Sequence, residues 1–383
     1  MISDLMDRRD FFKYSAAGLI GLSFADRLRA AEAAADKDGR YSVVILGDTH
    51  YDAADPEYYH EGYSDPDPKR EALHRREFVR NGQMWAGRSH DLVKRAACLV
   101  DDDTRFVYQT GDLIQGDTAG AENHKRFLDD ALNLFKNDLA PDLPFVTVAG
   151  NHDLRGKDDA VARQAYIEYM APRMSRELGQ EIDGPDFLYR TGPDAFVFIN
   201  FTKPNVERIR GLLEQARGSR HVFLMVHCPV FPYDNSKYYW WFLLGNRKDS
   251  HAKERREMRK LLASLNAIVL CGHTHMTEFL DWQGDGGRIT QMTMSSVWRN
   301  ESQASYKELA NGASGYMTLL YKDAPALATE ANKALFDEYR AGIRSYSIAD
   351  AAGSYKLIVD GRHVWVDFYA GDSARRTKRF KLR

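Results

Sequence analysis

The sequence predicts an α/β protein whose sheets are covered by helices, and two observations carry that reading. Short β-rich apolar runs recur along the chain, and amphipathic stretches at helical spacing lie between several of them. A third observation concerns where the runs stop: many end at residues of the kinds that bind metal ions.

Residues 41–46, 106–109, 145–149, 195–200, 222–226 and 267–271 read as buried strands, each a short apolar run of suitable length. Phe127, Leu128, Ala131, Leu132, Phe135 and Leu139 recur at helical spacing, as do Val206, Ile209, Leu212, Leu213 and Ala216. The second half is richer in strands, at 289–297, 316–321, 355–359 and 364–369. Asp360-Gly361 predicts a tight turn that joins the last two as a hairpin. A helix is expected over 326–344. Two long segments rich in aromatic residues, 51–90 and 229–248, directly follow metal-type motifs and are expected to form walls or lids of a pocket.

The first residues look like an export signal. Arg8-Arg9 is followed by Phe11, Lys13, a modest apolar stretch from Ala16 to Ala25, and small residues at 31–35. This resembles a twin-arginine signal, which implies the twin-arginine export machinery as a partner and a periplasmic or secreted protein. An apolar run of about ten residues is too short for a stable membrane anchor, and no Cys follows it for lipid attachment. The expected organisation is a signal peptide over 1–35, one enzyme domain over 36–323, and a helix plus β-hairpin extension over 324–383 packed on the core.

The formal net charge of −2 gives no bulk electrostatic reason to expect nucleic acid as a partner. The basic cluster near the end, Arg375 to Arg383, reads as a solvated final strand or tail. Three cysteines cannot make a disulfide framework; Cys98 is expected in the core, and Cys228 and Cys271 as small buried residues at strand ends.

Five motifs occur in order: Gly47-Asp48-Thr49-His50, Gly111-Asp112, Gly150-Asn151-His152-Asp153, His227 after an apolar run, and Gly272-His273-Thr274-His275. Side chains alternate along a strand, so Asp-x-His and His-x-His each aim two donors to one side. A carboxylate such as Asp112 can bridge two cations with its oxygens, and Asn151 adds a neutral carbonyl. A mixed nitrogen and oxygen set without thiolate suits Mn, Fe, Zn or Co. Two adjacent cations of that kind are a recurrent device for phosphate-ester hydrolysis.

These residues in this order resemble the calcineurin-like metallophosphoesterase superfamily, from about Tyr41 to Tyr321. The resemblance implies a four-layer αββα sandwich, two mixed β-sheets packed face to face with helices outside. It implies one metal site from Asp48, His50, Asp112 and His275, and a second from Asp112, Asn151, His227 and His273. It further implies attack on phosphorus by a hydroxide bridging two divalent or trivalent ions, with His152 as the candidate general acid. Phosphate mono- or diesters are the expected small-molecule substrates.

The protein serine/threonine phosphatases of that superfamily carry Asp three residues after the bridging Asp, then Arg. Gln115 and Gly116 stand at those places, which disfavours protein-phosphatase activity and leaves Asp117 or Asp153 as alternative partners for His152. Arg155 is the first candidate for holding phosphate and Arg299 a weaker one. The remaining histidines, His60 among them, read as surface or packing residues. Two other functions compete: a nucleotide-specific hydrolase (a nucleotidase or cyclic-nucleotide phosphodiesterase), with the aromatic segments stacking a base, and a non-catalytic metal-binding surface protein.

Overall fold

The computed structural model describes residues 39–232, 243, 251–297, 305–318, 322 and 329–383. The export signal, most of the 229–248 segment and Arg299 lie outside the described residues. Among the described residues the strands in chain order are β1 (Arg40–Leu46), β2 (Thr104–Gln109), β3 (Phe145–Thr147), β4 (Phe187–Thr191) and β5 (Asp194–Ile199). They continue with β6 (Val222–Val226), β7 (Ile268–Cys271), β8 (Thr277–Gly284), β9 (Gly287–Thr293) and β10 (Lys307–Asn311). The last four are β11 (Ile343–Asp350), β12 (Gly353–Asp360), β13 (His363–Ala370) and β14 (Lys378–Lys381).

They form two mixed sheets. One has the order β14-β13-β12-β1-β2-β3, the other β10-β11-β8-β9-β7-β6-β5-β4. Parallel pairing joins β1, β2 and β3 in the first sheet, and β5, β6, β7 and β9 in the second. Strands covered on both faces must be apolar throughout, and β6, Val-Phe-Leu-Met-Val, is buried at every position.

Alternation along the strands assigns their faces. Phe196, Phe198, Phe223 and Met225 belong to the core that includes the first sheet, whereas Val197, Leu224, Val226 and Val269 join a second core. Rings cross between the sheets: Phe106 meets Phe196 edge-on at 5.2 Å, and Tyr108 meets Phe198 at 5.9 Å. Helices cover the outer faces. In chain order these are α1 (Pro68–Met84), α2 (His90–Ala96), α3 (Ala121–Leu139), α4 (Asp159–Leu178), α5 (Val206–Gln215), α6 (Ala252–Ser264) and α7 (Glu330–Arg340). The expected sandwich is therefore the observed one. No helix of the described residues is long and apolar enough to cross a membrane.

Several expectations need correction. The 51–90 segment is mostly helical: a single turn at Glu57–His60, then α1, then α2. Asp67 starts α1 by accepting from the Lys69 N–H, with Pro68 at the first helical position. Several of its aromatic rings face inward, while the exposed Tyr58 and the part-buried Tyr51 line a surface cleft with Asp130 and Asn133. Tyr59 stacks on Phe127 at 3.8 Å and His60 on Phe78 at 3.7 Å. Residues 316–318 form a turn and the start of a helix instead of a strand. Tyr316 is still buried, its hydroxyl donating to the Pro232 carbonyl. The helix expected to reach 344 ends at Arg340, and β11 begins at Ile343.

Cys98 is exposed, because α2 gives way at Ala97–Leu99 to a tighter turn that buries Leu99 instead. The residues from 329 onward do not rest against a finished core. β11 pairs with β8 in one sheet, and β12 pairs with β1 in the middle of the other. The Asp360-Gly361 hairpin is present, with Asp360 opposite His363.

Candidate metal centre

All five motifs follow the C-terminal ends of strands: β1 leads to Asp48 and His50, β2 to Asp112, β3 to Asn151 and His152, β6 to His227, and β7 to His273 and His275. Parallel neighbours bring these ends to one edge of the sandwich, where open α/β sheets place their sites. Gly150 and Gly272 make the close approach possible. A Cβ at Gly150 would lie 2.0 Å from the Asp112 nitrogen, and one at Gly272 would lie 2.3 Å from Asp48 Oδ1. His50, Asp112, His273 and His275 have positive φ, from 43° to 74°. Left-handed backbone in such residues is strained, and strain of this kind gathers at functional sites.

The donors fall into two groups that share Asp112. In one, His275 Nε2 stands 3.1 Å from His50 Nε2 and 3.2 Å from Asp48 Oδ2. In the other, His227 Nε2 stands 3.2 Å from His273 Nδ1, 3.3 Å from Asn151 Oδ1 and 3.3 Å from Asp112 Oδ2. The same Oδ2 lies 3.8 Å from His50 Nε2. Neighbouring donors on one ion, with bonds of roughly 2.0–2.2 Å, sit about 2.8–3.6 Å apart. The spacing within each group fits a cation at its centre, and Asp112 Oδ2 faces both centres.

Hydrogen bonds fix the donors. His227 Nδ1 meets the Thr110 carbonyl at 2.8 Å, so the N–H points there and Nε2 is left for a metal. Asp112 Oδ1 accepts from the His152 backbone N–H at 2.8 Å, which turns Oδ2 toward both donor groups. Asp153 accepts from the Ile114 and Gly150 N–H groups and so ties the Asp112 loop to the Asn151 loop.

Burial pushes the His50 imidazole down to about 4 and that of His273 to about 3. Burial also disfavours charge on His227, yet the Asp112 and Asp48 carboxylates beside it carry it up to about 9. Burial resists ionisation of Asp48 and Asp112 too, but the adjacent histidines hold both carboxyls below their usual range.

An imidazole nitrogen of His152 comes within 4.8 Å of donor atoms on His50 and Asp112, and its ring meets His50 edge-on at 4.5 Å. Its Nδ1 lies 2.9 Å from the Gln115 backbone carbonyl. Neither Asp117 nor Asp153 orients this ring; the Gln115 main chain does. Burial, then the nearby Arg155 guanidinium, lowers the His152 pKa well below its usual value. Arg155 itself is held by Asp117, with Nη2 2.5 Å from Oδ2, and has Glu77 at 3.8 Å.

The sequence pattern of the calcineurin-like phosphoesterases matches residues 41–277. The chain belongs to the calcineurin-like phosphoesterase family. Members bind divalent metals and hydrolyse phosphoesters, in keeping with the two donor groups. No curated protein matches the sequence. Among solved structures, PhoD is 10% identical with a TM-score of 0.50, over 89% of this chain and 68% of that one. GAP50, the anchor in the inner membrane complex of Plasmodium, is 13% identical with a TM-score of 0.43, over 90% and 89%. The sulfate thiohydrolase SoxB of Thermus thermophilus, in complex with glycerol, is 13% identical with a TM-score of 0.30, over 67% and 52%. At these identities only the PhoD likeness bears on the fold, and none bears on the substrate.

Proposed function

We propose that this chain is a dinuclear metal-dependent phosphoesterase, acting on phosphate mono- or diesters outside the cytoplasm. One observation carries the reading: two donor groups at ion-binding spacing meet at a single oxygen, Asp112 Oδ2, with His152 beside them. On this reading Asp48, His50, Asp112 and His275 hold one ion, and Asp112, Asn151, His227 and His273 hold the other. The ions, Mn, Fe, Zn or Co, would supply Lewis acidity and an activated water.

The chain's own residues do the rest. The Thr110 carbonyl fixes the His227 tautomer, and the His152 amide turns Asp112 so that one oxygen serves both positions. His152, its Nδ1–H held by the Gln115 carbonyl, presents Nε2 as the atom that would first take up a proton and then pass it to the leaving oxygen. A carbonyl orients the ring without stabilising imidazolium as a carboxylate would, so His152 is a proton donor best suited to leaving groups of modest basicity.

Tyr59, His60, Tyr63 and Trp85 of the 51–90 segment are buried and do not offer a face for stacking on a nucleobase. Export rests on the Arg8-Arg9 signal. It is tested by cell fractionation of the wild type and a variant with both arginines changed to Lys, which should remain in the cytoplasm.

The decisive experiment is metal analysis of the purified mature protein, followed by a phosphoester panel with the matching metal. Turnover of aryl or sugar phosphates at two metals per chain is expected. Stoichiometric metal with no turnover across the panel would favour the non-catalytic alternative, and turnover confined to nucleotides would favour the nucleotidase.

A further inference from the structure

Beside the metal donors lies a second buried cluster that the chemistry above does not use. Asp52, His60 and Asp117 are all at most 1% exposed, and burying such groups is costly unless each is engaged. The His60 ring is fixed at both ends. Its Nε2 stands 3.2 Å from each oxygen of Asp52, and its Nδ1 stands 2.9 Å from the Asp117 backbone carbonyl. Phe78 covers one face of the ring, 3.7 Å away and nearly parallel.

Asp117 is thereby held in an unusual posture. Its φ is 57°, its carbonyl accepts from His60, and its N–H donates to the Arg155 carbonyl at 2.8 Å. Its Oδ2 receives Arg155 Nη2 at 2.5 Å, while its Oδ1 is buried with no hydrogen-bond partner among the described residues. The contact is one-point rather than the fork a guanidinium and a carboxylate can make. The Arg155 side chain remains 28% exposed, three residues beyond His152.

Gly116 explains why the cation comes from this direction. A Cβ there would lie 2.1 Å from the His152 carbonyl oxygen and 3.0 Å from that of Arg155, and the φ of Gly116 is +75°. No side chain can stand at 116, so that position supplies no cation, whereas Arg155 follows His152 in the 152–155 turn.

We propose that Asp117 is a positioning residue, itself set by His60 and Asp52, which holds the Arg155 guanidinium beside His152 to bind a non-bridging oxygen of the substrate's phosphoryl group. The proposal rests on the phosphoesterase reading and deepens it. With Arg155 Nε buried, the Nη nitrogens of a guanidinium tethered at one point keep donors for an anion, and its direction is set by residues that never touch substrate.

The test uses metal-loaded protein and two probes, inorganic phosphate and an aryl phosphate. Wild type, Asp117→Asn, His60→Gln, Arg155→Ala and the double variant Asp117→Asn with Arg155→Ala are compared. Calorimetry reads phosphate affinity, steady-state kinetics read KM and kcat, and melting curves report folding. Asp117→Asn and Arg155→Ala should each weaken phosphate binding about tenfold and lower kcat/KM by at least the same factor. The double variant should be no worse than Arg155→Ala alone, because both act through one guanidinium. His60→Gln should fall between wild type and Asp117→Asn.

Additive losses in the double variant, or phosphate affinity within twofold of wild type in Arg155→Ala, would overturn the proposal. Arg155→Ala removes only a part-exposed side chain, so it decides the matter even if the buried variants fold poorly. Absence of turnover in the wild type would count against the phosphoesterase reading alone, since phosphate affinity still decides the role of Arg155.

Discussion

Gly150→Ala probes how tightly the donor loops must meet. The added Cβ would stand 2.0 Å from the Asp112 nitrogen and 2.2 Å from its Oδ1, whereas real Cβ contacts essentially never fall below 3.0 Å. The two loops must therefore part by about 1 Å. That movement acts on the 2.8 Å bond from the His152 N–H to Asp112 Oδ1 and on the 3.3 Å spacing between Asn151 Oδ1 and His227 Nε2. Overpacking of this kind costs about 1–3 kcal/mol, and a displacement of about 1 Å among reacting groups costs on the order of 100-fold in rate. Aryl phosphate turnover should accordingly fall about 100-fold, with fewer than two metals per chain by mass spectrometry and a melting temperature lowered by a few degrees. Gly120→Ala is the control, because nothing lies within 4 Å of its added Cβ. If Gly150→Ala keeps two metals and turns over within threefold of wild type, the close approach of the loops is not what builds the site.

Three other outcomes are expected. Asp112→Asn or His227→Ala should abolish turnover and reduce metal content, since Asp112 Oδ2 faces both donor groups; unchanged turnover in metal-replete protein would refute the ligand assignment. His152→Ala should keep both metals while losing about 10²–10⁴-fold in rate on alkyl esters, and much less on aryl esters whose leaving group needs no proton; equal losses on both would remove its role as an acid. In the metal-free protein His227 is protonated below about 9, and it must lose that proton to bind metal. Metal affinity should therefore rise up to tenfold per pH unit from pH 6.5 towards 9 and level off above, measured by chelator competition; a flat profile would contradict the coupling to Asp112 and Asp48.

What the sequence made legible follows from physical causes. β1 and β6 could be read because strands covered on both faces are apolar at nearly every position. β8 and β11 were not, because Thr277–Gly284 and Ile343–Asp350 mix polar with buried residues and imitate loops. α1 does not stand out in the sequence because its buried face is only His74, Phe78, Asn81, Gly82 and Met84, set in a run rich in Arg and Glu. Cys98 was misplaced because helical spacing does not show where the helix tightens. The candidate donors could be located because each motif sits just beyond a strand. The partner of His152 could not, since the Gln115 group that orients it is a main-chain carbonyl, which every residue type carries. The same holds for the link from His60 to Asp117.

β1 lies between β2 and β12, so that Leu46, two residues before Asp48, is paired with Gln109 on one side and with Ser354 on the other. During synthesis the first partner emerges early and the second only after residue 354 has left the ribosome. Until then the strand that presents Asp48 has an open edge, and closing it requires a contact between distant parts of the chain, a slow kind of step. The metal centre therefore matures late, after nearly all of the described chain exists. Any loading with ions would then follow completion of the chain, and loss of the strand at 353–360 is expected to disable a candidate site formed by residues 48 to 275.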